Sequence, residues 1–207
     1  MEQGLEYEKT SPWTIKKLLS TRYAWFVGIG TGPLMMLSVG IMSSLVTRSM
    51  SVGFTLEQAI LIMSVSGVVG LLGSYIAGWI DTKYGTKRAT IILYVWIIIA
   101  LALNLLAEVS IVFFYISVVM FACFIGGANN MPVSMIATVF GRYDYSSAYR
   151  VIWPIVVIIM SFGFALVGAL AAMLGGTFTA SYVGLIIASV IGIIFTALLP
   201  KQCVGRN

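Results

Sequence analysis

The chain has 207 residues, of which 60% are apolar and only 9% are charged, and its mean hydropathy is +1.03. An ordinary soluble domain is about half apolar and about one quarter charged. This composition excludes a soluble enzyme, a nucleic-acid-binding protein and a disordered chain, and it predicts an integral membrane protein in contact with lipid. The sequence has no histidine. This removes His-ligated metal sites and nucleophiles that depend on histidine. Because the spans also contain no deep acid pair and no Ser–Lys pair, we expect no metal site, no cofactor and no enzymatic activity.

The first 22 residues are polar and carry charges of both signs. Ser11 followed by Pro12 is typical of a helix start. Apolar side chains then fall near one face, at Trp13, Ile15, Leu18 and Leu19. The pattern predicts a cytoplasmic lead-in over 1–22 with a short helix lying at the membrane interface. A plain solvated segment is the alternative.

Six apolar segments follow, and each is close to or longer than the roughly 20 residues that cross about 30 Å of hydrocarbon. They are predicted at about 23–46, 54–80, 89–107, 111–139, 151–174 and 179–199. Because backbone groups cannot remain unpaired in lipid, all six are predicted to be helices. The predicted fold class is an all-α membrane bundle of six transmembrane helices over 23–199, followed by a tail at 200–207.

The basic residues predict the orientation of this bundle. With six spans, eleven of the twelve Lys and Arg residues fall on one side and Arg48 alone falls on the other. Loops rich in Lys and Arg stay in the cytoplasm. We therefore expect a multi-pass protein of the plasma membrane, in a bacterium the inner membrane, with both termini cytoplasmic.

The loop between the second and third predicted spans runs GWIDTKYGTKR over 78–88. It combines a helix-ending glycine, one acid, three bases and a turn glycine. Asp81 could accept hydrogen bonds from a neighbouring helix N-terminus or a basic side chain, which would stabilise one conformation. The alternative is an ordinary positively charged cytoplasmic loop.

The spacing in this loop resembles the signature loop of the major facilitator superfamily, which runs roughly G-x-L-x-D-R-x-G-R-K/R. The residues that match in place are Gly78, Lys83, Gly85, Lys87 and, loosely, Arg88. The acid falls one residue early, at Asp81, and Thr86 replaces the first base after the second glycine. The resemblance implies that Asp81 and the five matching residues gate the conformational cycle.

The resemblance extends to other parts of the chain. The loop FGRYDY over 140–145 is similar to the loop after the fourth helix in many members, and the lead-in over 11–26 is similar to the loop before the seventh helix in the oxalate/formate and monocarboxylate branch. It implies one six-helix half of a secondary transporter, by preference the C-terminal half. Such a half moves a small organic solute, such as a monocarboxylate, together with a second half from another chain, a second copy or the remainder of a longer chain.

Two predicted spans combine glycines with a proline. The first carries Thr31 and Pro33, and the fourth carries Asn129, Asn130 and Pro132. Broken helices near the middle of a membrane often mark transport sites, although a plain kink is the alternative. Asparagine is expensive inside lipid, so these two face either a cavity or a neighbouring helix.

The family resemblance implies that the first, second, fourth and fifth helices of a half line the central cavity. The candidate substrate wall is then Thr31, Pro33, Asn129, Asn130, Pro132 and Trp153. No acid or base lies deep in a span, which favours a neutral or monoanionic solute over a dianion. The alternative is that the second half carries the charge.

A different class of protein also fits six spans. A compact substrate-capture subunit could dock on a separate energising module. Such a subunit would hold a complete pocket by itself and would have no need of the loop over 78–88.

Overall fold

The computed structural model describes residues 11–173, 178–200 and 203–204, with side chains omitted at 171–173. The described residues form seven α-helices and no strand. They are α1 (Ile15–Ser20), α2 (Arg22–Ser51), α3 (Leu56–Tyr84), α4 (Thr86–Leu105), α5 (Ile111–Ala128), α6 (Met131–Met173) and α7 (Phe178–Ala197), with a short 3-10 turn at Leu106–Glu108.

Helix α1 begins later than the sequence predicted. Its N-cap is Thr14, whose side chain accepts a hydrogen bond from the backbone of Lys17 at 3.4 Å. The predicted start at Ser11 and Pro12 is therefore wrong. The Ser11 hydroxyl accepts from the Trp13 amide at 3.3 Å and donates to Asp144 Oδ1 at 2.8 Å, so it joins the segment before α1 to the residues after Gly141.

Five stretches of the described chain are long and apolar enough to cross a membrane. They are Arg22–Ser51, Leu56–Tyr84, Thr86–Glu108, Ile111–Leu170 and Phe178–Ala197. The fourth is 60 residues long and contains two of the six predicted spans, so the structure separates five stretches where the sequence predicted six. The all-helical class is confirmed, and the long apolar helices are compatible with a multi-pass membrane protein.

The 60-residue stretch is interrupted at Gly141. This buried residue has φ 75° and ψ 168°, a left-handed conformation that favours glycine and that no helix contains. Both ends of the described chain contact this point: the Val204 amide donates to the Val139 carbonyl at 2.7 Å, and Ser11 bonds to Asp144. The N-terminal segment and the tail therefore lie at the same end of the bundle.

Neighbouring side chains give the direction of each helix. Gly28, Gly32 and Gly40 of α2 face Ile155, Ile159 and Val167 of α6 in the same order, so α2 and the part of α6 after Gly141 run parallel. Phe54 lies against Phe114, and Ser74 bonds to Asn130, so α3 and α5 also run parallel.

Helix α4 runs antiparallel to both α5 and α7. Its residues Tyr94 and Lys87 meet Gly192 and Ala197 of α7 in reverse order, and Asn104 and Trp96 meet Ser117 and Met120 of α5. Helix α2 is also antiparallel to α7, because Gly30 faces Thr196 and Gly40 faces Leu185. The chain direction therefore reverses at Gly141.

Helix α2 is the centre of the bundle and packs against α6, α7 and α3. Nearly three quarters of the residues in the most apolar part of α2 are buried, whereas only 17% are buried in the corresponding part of α3. Most of one face of α3 is therefore bare. Helices α3 and α5 approach backbone to backbone. A Cβ atom on Gly126 would overlap the Gly70 carbonyl, and one on Gly73 would overlap Cys123.

Candidate functional site

A cavity of about 370 Å³ lies between α3 and the junction of α5 with α6. Its polar lining consists of Ser66 and Ser74 from α3 with Asn129 and Asn130 from the junction. Small or apolar side chains of α3 and α5 and the side chain of Met42 on α2 complete the wall. We call this cavity the asparagine groove.

The local sequence explains the break that opens the groove. Helix α5 ends at Ala128. The Asn130 amide donates to the Gly127 carbonyl, three residues back, at 3.3 Å. Helix α6 then begins at Met131 with Pro132 in its second position, where a missing N–H removes no helical hydrogen bond. Both asparagines are exposed, and Asn130 Nδ2 donates to the Ser74 hydroxyl at 2.9 Å.

Polar groups continue from the groove towards Gly141. Ser134 and Thr138 follow Asn130 at helical spacing, and the Thr138 hydroxyl hydrogen-bonds to the Thr86 hydroxyl at 3.0 Å. Thr138 is exposed and Thr86 is buried at the start of α4. Asn130, Ser134 and Thr138 therefore form a polar strip that runs from the groove to the start of α4.

The proline of the first predicted span does not interrupt its helix, because α2 continues through Pro33 from Arg22 to Ser51. Thr31 and Pro33 are buried, and the Thr31 hydroxyl donates to the Val27 carbonyl of its own helix at 2.7 Å. The Gly30 carbonyl beside them accepts from the Tyr94 hydroxyl at 2.7 Å and from the Thr196 hydroxyl at 3.0 Å. Side chains of α4 and α7 thus pack against α2 at this point, and neither Thr31 nor Pro33 lines the asparagine groove.

Trp153 and Pro132 are also placed away from the groove lining. Trp153 is half-buried on α6 and stacks on Tyr149 with ring centroids 5.2 Å apart and planes 16° apart. Tyr149 stacks in turn on Tyr145 at 5.5 Å. Pro132 is buried at the start of α6. Their assignment to a substrate wall stays a prediction.

The segment 78–88, which the sequence predicted as a loop, is almost entirely helical. Residues 78–84 end α3 and residues 86–88 begin α4. Gly85 lies between the two helices with φ 81°, and its amide donates to the Asp81 carbonyl at 2.9 Å. Lys83 lies over the rings of Trp79 and Tyr84, at 4.6 and 5.3 Å. The Asp81 carboxylate is half-buried and makes no hydrogen bond or ion pair within the described part of the chain.

The other loop residues differ among themselves. Lys87 Nζ donates to the carbonyls of Ala197 and Leu199 at 2.8 and 2.7 Å, so it caps the C-terminal end of α7. Gly78 and Arg88 are exposed, and nothing lies within 4 Å of a Cβ built on Gly78. Lys87 therefore has a packing role inside this bundle, whereas Gly78 and Arg88 face outward.

One polar cluster was not found by sequence reasoning. Arg48, 4% exposed, bonds to the Asn104 side chain and carbonyl, each at 2.9 Å, and lies 3.7 Å from Glu108. Asn104 also donates to the Ser117 hydroxyl at 2.7 Å. A lone Asn inside the third predicted span was the available signal, but its partners lie far away in sequence.

A scan against known protein families found no family that matches the chain, and a search of curated proteins found no matching relative. The helices define the class, an all-helical protein compatible with multiple membrane crossings. Its groove has hydrogen-bonding groups at a helix break and, in the described lining, no ionisable side chain. No group of His, Cys, Asp and Glu among the described residues could hold a metal ion.

Proposed function

We propose that the chain is one six-helix half of a secondary transporter of the major facilitator type. It moves a small organic solute across the plasma membrane by alternating access, together with a second six-helix half. The observation that carries the proposal is the asparagine groove, where two exposed asparagines sit at a broken helix on the least covered side of the bundle.

Six crossings follow if the stretch Ile111–Leu170 crosses twice. The chain direction reverses at Gly141, and 60 helical residues would extend about 90 Å, three times the hydrocarbon thickness. The reversal places Arg142 and Arg150 at the end that also holds the loop over 78–88. The positive-inside rule then assigns that end, with both termini, to the cytoplasm.

The packing supports two repeats of three helices. We number the six proposed spans along the chain, so that spans one to three form the first repeat and spans four to six form the second. Exchanging the repeats turns the contact between spans one and five into the contact between four and two. It turns the contact between spans one and six into the contact between four and three. All four pairs are in contact, and so is the pair three–six. A repeat with an odd number of spans starts from the opposite side of the membrane, and inverted repeats of this kind are typical of transporters.

The bare face of α3 supports the need for a second half. Asn129 and Asn130 would be costly against lipid chains, so they need water or protein beside them. A second half facing α3 and the α5–α6 junction would enclose the groove. The Asp81 carboxylate, at the cytoplasmic end of α3, would then be available to that half, consistent with a gating role for the loop.

Thiol labelling tests the proposal. Asn130→Cys is made after Cys123 and Cys203 are replaced, and intact cells and inverted vesicles are treated with a membrane-impermeant maleimide. Alternating access predicts labelling from both sides. Ile187→Cys, on the exposed face of α7, is the matched lipid-facing control and should react from neither side. Absence of labelling at Asn130→Cys would contradict a water-filled pathway.

The same assay distinguishes the alternative of a capture subunit, which predicts labelling of Asn130→Cys from the outer side only.

Asp81→Ala tests the gate, since it should change the ratio of outer to inner labelling while leaving insertion intact. Thr82→Ala is its control, because the Thr82 hydroxyl bonds only to the Gly78 carbonyl of its own helix. An unchanged ratio in Asp81→Ala would count against the gating role.

A further inference from the structure

We propose that the asparagine groove binds an uncharged polar solute through hydrogen bonds. The proposal rests on the proposed transport function and adds the chemical class of the solute. It departs from the monocarboxylate that the family resemblance implies. The contents of the groove and the positions of the charges in the described helices carry it.

The groove contains hydrogen-bonding groups and no ionisable side chain. Ser66 donates to the Ile62 carbonyl of its own helix at 2.8 Å, and Asn130 bonds to Ser74. The Asn129 carboxamide is exposed and has no hydrogen-bond partner among the described residues. A free carboxamide offers two N–H donors and one carbonyl acceptor, which match a hydroxyl or amide group of a solute.

The nearest possible counter-ions point elsewhere. Arg48 is the one cation near the outer end of the described helices, and its partners lie on α4 and α7. Its guanidinium bonds to Asn104 and lies over the rings of Phe178 and Tyr182, at 5.6 and 5.9 Å. Neither Arg48 nor any of these three partners lines the groove.

The remaining charges lie at the two ends of the bundle. Glu57 is exposed in the first turn of α3, and the ionisable residues of the 78–88 segment lie at the other end of the same helix. Asp144 is buried beyond Gly141 and bonds to Ser11. An ion in the groove would thus lose its hydration without gaining a partner of opposite charge, which is strongly unfavourable.

The size of the groove fits a small molecule. Its volume of about 370 Å³ lies at the lower end of the range for small-molecule sites, about 300–1,000 Å³. A solute with a few hydroxyl or amide groups would fill it and use the Asn129 carboxamide. The apolar side chains of Met42, Leu71 and Ile125 would contact its carbon atoms.

The charge of the groove can be measured without knowing the solute. Gly67 lines it, and a Cβ built there meets nothing within 4 Å, so Gly67→Cys places a thiol in the groove without a clash. In the cysteine-free full chain in its native membrane, the reaction rates with an anionic and a cationic methanethiosulfonate are compared. The ratio of the two rates, divided by the same ratio for a small thiol in solution, should lie within about threefold of one.

A matched variant shows that the reporter senses charge. Adding Asn130→Arg to Gly67→Cys should raise the anion-to-cation ratio about tenfold, and adding Asn130→Asp should lower it by a similar factor. Acetate and lactate are expected to leave both rates at Gly67→Cys unchanged. The introduced arginine should make both anions protective.

The outcomes separate the two proposals. A preference above about tenfold for either charged reagent in the groove without added charge would overturn the uncharged solute, since the second half would then supply a counter-charge. Slowing of the reaction by acetate or lactate would overturn it as well. If neither reagent modifies Gly67→Cys, the groove is dry and the transport function itself fails.

Discussion

Two sites that combine glycines with a proline have opposite environments in this protein. At Gly30 and Pro33, helix α2 continues without interruption and is buried, and the Gly30 carbonyl accepts hydrogen bonds from the hydroxyls of Tyr94 and Thr196. The break between α5 and α6 at Asn129 and Asn130 lies open on the asparagine groove. Glycine and proline thus mark positions where a helix can be interrupted, but the neighbouring helices decide whether such a position is a packing contact or a site.

The two sites are also held together differently. Around Gly30, side-chain hydroxyls of α4 and α7 bond to α2, and Gly192 makes room for the Tyr94 ring. Beside the open break, the backbones of α3 and α5 touch at Gly70 and Gly126. This backbone contact holds the open break without a side chain to fill it, and the Asn129 carboxamide stays available.

The largest effect is expected from Gly126→Ala, four residues before Asn130. The added methyl group would overlap the Gly70 backbone, which cannot rotate away, so α3 and α5 must separate. We expect the free energy of unfolding to fall by about 3 kcal/mol, at the upper end of typical overpacking penalties. Unfolding by denaturant in mixed micelles measures it. Gly78→Ala, with open space at its Cβ, is the control, and equal losses in the two variants would contradict this contact.

A smaller effect is expected at the buried site around Gly30. Tyr94→Phe and Thr196→Val each remove one hydroxyl donor to the Gly30 carbonyl, and each should lower the free energy of unfolding by about 1 kcal/mol. Because the two donors share one acceptor, the loss in the double variant should differ from the sum of the single losses by about 0.5 kcal/mol or more. A double-mutant cycle measures this coupling, and strict additivity would show that the two hydroxyls do not share the carbonyl.

Substitution of Lys87 tests whether this residue of the 78–88 segment stabilises the bundle or gates it. Lys87→Met removes the cation that caps α7, and the expected loss is about 1 kcal/mol, as for a charge at a helix end. The exposed Arg88→Met is the matched control and should stay within about 0.5 kcal/mol of the parent. A stable Lys87→Met with altered sidedness of Gly67→Cys labelling would instead assign Lys87 to the gate.

The smallest change in stability is expected for Asn130→Leu. Asn130 is exposed and its one side-chain bond, to Ser74, is exposed too, so the free energy of unfolding should change by less than about 0.5 kcal/mol. The same variant should slow the thiol reaction of Gly67→Cys, because an apolar side chain makes the groove less wet. A loss of stability equal to that of Tyr94→Phe, without slower labelling, would make Asn130 an interhelical packing residue.

The sequence led to Asn129 and Asn130 because polar side chains inside a long apolar segment need a partner wherever they are. The same reasoning could not separate them from Thr31 and Pro33, since both segments combine glycines with a proline. It also grouped Lys87 with Asp81 on the basis of spacing along one loop. The structure separates these two residues, because the partners of Lys87 come from α7, more than one hundred residues away.

The sequence by itself determined that this chain is an all-helical protein with apolar helices long enough to cross a membrane. Hydropathy and helix propensity are local, and each segment must satisfy its own backbone in lipid. Only the tertiary structure decided that Tyr94 bonds to α2 at Gly30, that Arg48 meets Asn104, and that α3 keeps one face bare. Those outcomes depend on which helices lie side by side, and close packing joins residues whose separation in sequence carries no local signal.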